Sequence, residues 1–219
     1  MAATTVLTAS NGWKFRPMEE TSADQDFFIK CWKDFPQGAN SYMARLERFS
    51  WHLDQNDVFD ETNLNTFNAS GTSHIAEDLR IATYISERNG TKIGINTLTF
   101  GHEVGKMTVR FEMIDPDERG NGYHTDQSIL RLGLMEHWNM THLNVWHLDP
   151  NEDGASPAVA ALRTKWTNLG FNMSGTSTTI PNAFHQKTQN VQHAEGTIAQ
   201  YRDFKAGDSD WADVTWSYS

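Results

Sequence analysis

Cysteine is almost missing from this chain: Cys31 is the single one in 219 residues. An intramolecular disulfide and a cysteine-built zinc site are therefore excluded. Cationic residues are also scarce, 18 Lys and Arg against 28 Asp and Glu, for a net charge of −10. A surface of that sign repels a phosphate backbone, so nucleic-acid binding is not expected. It suits a cationic substrate such as an amine, and equally suits mere solubility. No run of 18 apolar residues occurs and no basic-then-apolar leader opens the chain. Both absences argue against membrane spanning and export, and a soluble, cytoplasmic protein is expected. The nine histidines include no His-x-His or His-x-x-x-His pair, and the spacing of His142 and His147 puts them on opposite strand faces. No metal site is expected. A Gly-x-Ser-x-Gly elbow is also missing, as are internal repeats and low-complexity tracts.

What is present reads as alternating strands and helices. Trp13 to Pro17 is a first strand ended by proline. Ser22 and Asp24 offer caps for a helix that carries Phe27, Phe28, Cys31, Trp32 and Phe35 at helical spacing, and Pro36-Gln37-Gly38 breaks it. That aromatic cluster is expected in the core. A second helix is expected from Ser41 to about His52, and residues 54–73, rich in Asn, Asp, Thr and Ser, read as a loop or insertion. Leu79–Arg88 and Thr91–Phe100 are β-type runs separated by Asn89-Gly90, the signature of a type I′ hairpin. Gly101 to Gly105 turns the chain into a third strand that ends at Asp115. A helix follows from Asp126 to Trp138, then a short strand from Leu143 to Leu148, then a helix opened by Pro157 and running to Asn168. Leu169-Gly170-Phe171 ends it with a glycine stop and an apolar residue that folds back. One or two strands are expected in the last 48 residues. The fold class is α/β of the mixed, α+β kind: a mixed sheet with helices on both faces.

The segment Asp115-Pro116-Asp117-Glu118-Arg119-Gly120-Asn121-Gly122-Tyr123-His124-Thr125 joins the third strand to the Asp126–Trp138 helix. Glycines let the main chain approach a ligand closely, and a helix start adds unpaired N–H donors and the positive end of a dipole. A strand, a glycine turn and a helix in this order hold a phosphate or pyrophosphate.

This segment resembles the acyl-CoA-binding motif of the GNAT superfamily of N-acetyltransferases, hydrophobic-x-Pro-x-x-[Gln/Arg]-x-x-Gly-x-[Gly/Ala]. Ile114, Pro116, Arg119 and Gly122 match in register, Gly120 stands where the family usually also has glycine, and His124 replaces the last Gly or Ala. Lys165 to Phe171 is similar to the family's Leu-Tyr-x-Lys-x-Gly-Phe segment, with Trp166 in place of the tyrosine. The resemblance covers roughly residues 13–171, strongest over 79–171. It implies a single GNAT-like domain over 1–219, with a central sheet that is mixed and mostly antiparallel, and with residues 172–219 as C-terminal strands and tail.

What the resemblance implies for function follows. The strand before the glycine turn diverges from the next strand, and the pantetheine arm of acetyl-CoA enters the gap as a pseudo-strand. Met113, Ile114 and Asp115 would bond to it through the main chain. Arg119, Gly120, Asn121, Gly122, Tyr123, His124 and Thr125 would cradle the pyrophosphate. The implied activity is transfer of an acetyl group from acetyl-CoA to a primary amine of a small molecule or peptide, by direct attack in a ternary complex. The alternative is a non-catalytic CoA-binding sensor or scaffold, because Trp166 cannot act as the acid that the family's tyrosine supplies. Tyr123 is the candidate substitute acid or else packs on the cofactor or the helix, and Glu112, a carboxylate inside an apolar strand pattern, is the candidate base or else sits at the solvated end of its strand. His102 and Glu103 are weaker candidates. Trp211, Trp216 and Tyr218 either pair with a second subunit, as a homodimer, or complete the domain's own sheet.

Overall fold

The computed structural model describes residues 3–32, 80–100, 104–148, 164, 166–168, 171–173, 178–182 and 187–219. The second helix expected from Ser41 to His52, the 54–73 loop, and His102 with Glu103 lie outside these. Among the described residues, ten strands pair into one sheet. In chain order they are β1 (Leu7–Ala9), β2 (Trp13–Pro17), β3 (Arg80–Arg88), β4 (Thr91–Phe100), β5 (Lys106–Ile114), β6 (His142–Leu148), β7 (Asn172–Met173), β8 (Thr178–Asn182), β9 (Lys187–Thr197) and β10 (Trp216–Tyr218). The helices are α1 (Ser22–Cys31), α2 (Tyr123–His137) and α3 (Ile198–Gly207). The spatial order is β10-β1-β2-β3-β4-β5-β6-β9, with β7 and β8 both on the outer side of β9. Only β5 and β6 run parallel; every other pair is antiparallel.

Alternation sets which side chains meet which helix. On one face, Phe27, Phe28, Cys31 and Trp32 of α1 pack on Met18, Ile85 and Ile95. On the other, Ile129, Leu130, Leu134 and Trp138 of α2 pack with Ala82, Tyr84, Leu98, Phe100 and Val109. Trp138 meets Phe100 edge-on at 5.0 Å and Tyr84 at 5.9 Å. Each such large side chain removed from water contributes about 1.5–3 kcal/mol. Phe27, Phe28, Cys31 and Trp32 are core, as their spacing requires, and Phe35 lies outside the described residues. The Asn89-Gly90 turn has both residues at positive φ, 49° and 84°, as the I′ geometry demands.

Two bulges interrupt the alternation. The register of β3 with β4 shifts between Ser86 and Glu87. That of β4 with β5 shifts between Thr97 and Leu98, where Thr97 faces Phe111 and Leu98 faces Val109, so Arg110 has no partner across the ladder. Before it, Met107 and Val109 point to the α2 side; after it, Glu112 and Ile114 do, and Met113 joins the α1 side.

The N-terminus of α1 is held by a charge cluster. Arg16 on β2 bonds Asp24 and Glu87 at 2.7 Å each, and Lys92 on β4 reaches Asp24 at 2.7 Å. Burial by itself would raise the Asp24 carboxyl, but hydrogen bonds from Arg16, Lys92 and the Glu19 amide outweigh it and leave it well below the usual carboxylate range.

The tail is more structured than its weak periodicity suggests. It supplies α3 and four strands, and α3 opens with a capping box in which Thr197 and Gln200 bond each other's main chain. Trp211 is core, and β10 pairs with β1, register Leu7 with Tyr218. Of the two readings of the tail, the structure shows Trp211, Trp216 and Tyr218 completing the chain's own sheet and core. A strand, β1, precedes the one at Trp13–Pro17 that the sequence reads as first, and α2 starts three residues earlier than the apolar stripe indicates, at Tyr123. Among the described residues, no helix is long and apolar enough to cross a membrane.

Candidate functional site

The sheet opens between β5 and β6. Their parallel pairing joins Lys106–Val109 to His142–Val145 and stops there. Yet β5 runs on to Ile114 and β6 to Leu148, the latter still paired with β9 on its far side. The split begins at the unmatched Arg110, as expected of a bulge that bends its strand. Backbone groups of β5 face this gap in alternation. The Asp115 N–H donates to the Ile93 carbonyl at 2.8 Å, so it faces β4. The Met113 carbonyl also faces β4, 2.4 Å from where a Cβ on Gly94 would stand. The main-chain groups of Glu112 and Ile114 are left toward the gap. Of the trio Met113, Ile114 and Asp115, only Ile114 can therefore bond a ligand there through its main chain.

At the wide end of the gap lies the glycine turn. Asp115 caps the short 3-10 turn Pro116–Glu118 by accepting from the Asp117 N–H at 3.0 Å, and it holds Lys30 of α1 at 2.7 Å. Its carboxylate is structural. Lys30 also bonds Asp117 at 2.7 Å, which ties α1 to the turn. The Arg119 Nε lies 3.4 Å from the Ile114 carbonyl, and Asn121 donates to the Glu118 carbonyl at 3.2 Å. Gly120 and Gly122 sit at φ 88° and 80°, a conformation that costs other residues about 1–2 kcal/mol. A Cβ at either position would meet nothing within 4 Å, so the space beside them is open. Gly122 is the N-cap of α2, with no side-chain cap. The helix's first N–H groups, those of Tyr123 and His124 among them, emerge at this turn. Thr125 closes the first turn, its N–H on the Gly122 carbonyl at 3.0 Å.

Behind the turn is a buried polar network. The His124 Nδ1 lies 2.7 Å from Glu112 Oε1, and the other Glu112 oxygen accepts from Arg131, whose side chain is 0 % exposed. Arg131 also donates to Asn96 Oδ1 at 2.7 Å and Ser128 Oγ at 2.9 Å, and Ser128 donates to the His124 carbonyl at 2.8 Å. The ring of contacts runs from the His124 side chain through Glu112, Arg131 and Ser128 back to the His124 main chain. Tyr201 of α3 is buried nearby, and burial pushes its phenol well above the ordinary range. Arg131, Ser128 and Tyr201 carry no warning in the sequence, because polar residues on a helix read as its solvated face, and Asn96 reads as a lone polar residue in the β4 strand.

Both candidate acid/base side chains are engaged elsewhere. The two oxygens of Glu112 are already engaged, one by His124 and the other by the buried Arg131 guanidinium. Tyr123 meets Trp13 of β2 edge-on at 5.4 Å, with the Arg88 guanidinium of β3 at 5.8 Å from its ring. That places it over β2 and β3, on the opposite side of β5 from the gap, so it is not positioned as the acid. Trp166 is core, stacked on Phe171 at 4.9 Å, and the Phe171 N–H bonds the Trp166 carbonyl at 3.0 Å. The fold-back of Phe171 is as its sequence implies.

No protein-family model matches the chain, and no curated protein matches it in sequence. Solved structures do match in shape. A spermidine N-acetyltransferase mutant from Vibrio cholerae superposes with a TM-score of 0.57 at 13 % identity, over 87 % of this chain and 96 % of its own. A protein from Desulfovibrio desulfuricans described as an acetyltransferase of the GNAT family gives 0.53 at 10 % identity, over 85 % and 99 %. An acetyltransferase from Salmonella typhimurium, solved with its cofactor acetyl-CoA, gives 0.50 at 11 %, over 86 % and 95 %. With the parallel β5–β6 pair, the gap between them and the glycine turn that leads into α2, these likenesses agree on one conclusion: the chain has the GNAT fold.

Proposed function

We propose that this chain is an N-acetyltransferase that moves an acetyl group from acetyl-CoA to a primary amine of a small molecule or peptide, by direct attack in a ternary complex. The observation that carries this reading is the gap between β5 and β6, which ends at an uncapped helix start flanked by two left-handed glycines. The residues fit the co-substrate. Open space beside Gly120 and Gly122 admits a phosphate to the main-chain N–H groups, and the Ile114 main chain is free of β4 to bond an amide-bearing arm. The likeness to proteins that bind acetyl-CoA and acetylate spermidine supports the same chemistry, and the net charge of −10 suits a cationic acceptor.

Acetyl-CoA would bring a thioester, activated toward an amine and carrying its own leaving group. This chain's part is to bind and align it. Main-chain donors at the turn anchor the pyrophosphate, and the β5 edge at Ile114 orients the arm toward the narrow end of the gap. Such alignment is worth several kcal/mol of barrier without any acid or base. With Glu112 bound to Arg131, and with Tyr123 over β2 and β3, proton removal falls to water or to the free amine already present.

That same engagement of Glu112 and Tyr123 favours a second reading, a non-catalytic CoA-binding sensor or scaffold. Calorimetric titration of acetyl-CoA, with ATP and NAD as controls, tests what both readings share. Saturable binding of acetyl-CoA alone is expected, and Gly122→Trp should abolish it with the circular dichroism spectrum unchanged. Equal binding by the variant would show that the turn is not the cradle. Thiol release in the presence of an amine panel then separates enzyme from sensor.

A further inference from the structure

We infer that His124 is a side-chain ligand of the cofactor's pyrophosphate, held in its protonated form between Glu112 and the phosphate, so that acetyl-CoA binding by this chain takes up a proton. The inference rests on the cradle proposed above and concerns the one position where this turn departs from the glycine-rich pattern. A side chain at the second residue of α2 must either obstruct the helix start or turn away from it. Here it turns back onto β5, where its Nδ1 meets Glu112 at 2.7 Å. The main-chain N–H of His124 is thereby kept clear of its own ring.

The orientation of the imidazole follows from the partner. An ionised carboxylate only accepts, so Nδ1 carries the proton and Nε2 is the nitrogen left for another contact. The side chain is 45 % exposed, against 14 % for Glu112 and 0 % for Arg131, so the pair is buried at one end and open at the other. His124 follows Gly122, the N-cap of α2, by two residues, and a Cβ at Gly120 or Gly122 would meet nothing within 4 Å, so the space at the turn is open to a ligand. The anchor is rigid: Glu112 is fixed by Arg131, and Arg131 by Asn96 and Ser128, the latter bonded to the His124 carbonyl. Among the described residues, the charged group in contact with His124 is Glu112 on β5, and the elements beside it carry Arg131 and Asp126 on α2 and Arg119 with the Lys30–Asp115–Asp117 cluster at the turn. Asp126 is bonded to the Trp211 indole at 2.7 Å, and Asp115 and Asp117 to Lys30. Arg131 offsets much of the Glu112 charge. A pyrophosphate at Nε2 adds negative charge on the second side and favours the imidazolium.

The sign follows from linkage. The group's proton affinity rises on binding, so affinity is greatest at the acid end of the range in which imidazoles titrate and declines as pH rises through it. The experiment is titration of acetyl-CoA into wild type and His124→Ala, at about pH 6 and about pH 8, in buffers of different ionisation enthalpy. Alanine is chosen because it matches the glycine-or-alanine pattern at this position and leaves the helix start unstrained. Wild type should show buffer-dependent heats that report proton uptake, with affinity about tenfold higher at the acid end. In His124→Ala both the uptake and the pH dependence should vanish, with affinity at or below that of wild type at the alkaline end. Acetyl-pantetheine, which has no phosphate, should bind both proteins alike. If wild type binds acetyl-CoA without proton uptake, or the alanine variant binds as tightly at both pH values, His124 is not a ligand, though the cradle stands. If acetyl-pantetheine is lost equally, the histidine acts on the fold. No binding of acetyl-CoA by wild type at either pH overturns the cradle itself.

Discussion

Replacing Arg131 by methionine tests the buried network most directly. Methionine keeps the length and the apolar stem but removes the guanidinium. Glu112, 14 % exposed, then keeps its contact with His124 but loses the guanidinium, and Asn96 and Ser128 each lose a donor. Removing one partner of a buried pair costs about 3–5 kcal/mol, because the other charge stays behind uncompensated. The partial exposure of Glu112 and its contact with His124 put the expected loss near the lower figure, about 3 kcal/mol. For a chain of this size that lowers Tm by about 10 °C. With a urea slope of about 2–3 kcal/mol/M the midpoint falls by about 1 M. Urea unfolding followed by circular dichroism and by tryptophan fluorescence measures this, and coincidence of the two curves checks two-state behaviour. The double variant Arg131→Met with Glu112→Leu removes both charges and should recover most of the loss, since apolar replacement of a whole buried pair is often close to neutral. The reasoning fails if Arg131→Met unfolds within about 0.5 kcal/mol of wild type. It fails equally if the double variant is as unstable as the two single changes added together.

Two further outcomes are expected. In Gly133→Ala the new Cβ would stand 2.2 Å from Leu7 Cδ1 and 3.3 Å from the Trp216 ring, both packed against α2. Overpacking of about 1–3 kcal/mol should outweigh the gain of about 1 kcal/mol in helix propensity, so thermal melting should move down, and a rise in Tm would contradict the packing. The Asp24 carboxyl is held well below its ordinary range, so its stabilisation is complete above the unfolded value of about 3.9 and is lost as pH falls below that. Asp24→Asn should cost about 3 kcal/mol near neutrality and flatten the acid limb of the stability curve. Urea midpoints at neutral and acidic pH compare the two proteins, and parallel curves would assign the acid sensitivity elsewhere.

Features set by local chemistry were legible in the sequence. Asn89-Gly90 admits one turn type, and the hairpin is where those two residues put it. The glycine turn between β5 and α2 is legible for the same reason. Features set by distant partners were not. Arg110 carries no mark of being a bulge, because its neighbours remain strand formers on either side. Glu112 therefore read as a stray charge in an apolar strand, and only the fold brings Arg131 to it. Tyr123 adjoins the turn in sequence, but its side chain leaves the helix over β2, so nearness along the chain was misleading. The start of α3 could have been read from Thr197-Ile198-Ala199-Gln200, a capping-box spacing that the surrounding polar residues obscured.

The bulge at Arg110 also works as a phase shift in the sheet. One unmatched residue changes which parity of β5 faces α2, from odd numbers before it to even numbers after it. Were Arg110 kept but the strand laid out in strict alternation from Met107, Glu112 would fall on the α1 side, among Met18, Phe27, Phe28 and Trp32 and away from Arg131. Deleting Arg110 is a different change: Val109 would still face Leu98, Phe111 would still face Thr97, and Glu112 would keep its side opposite Asn96, while β5 would lose the bend from which it parts company with β6. The extra residue thus opens the sheet at no cost to the charged network, because the bulge absorbs the change of parity that its insertion would otherwise impose.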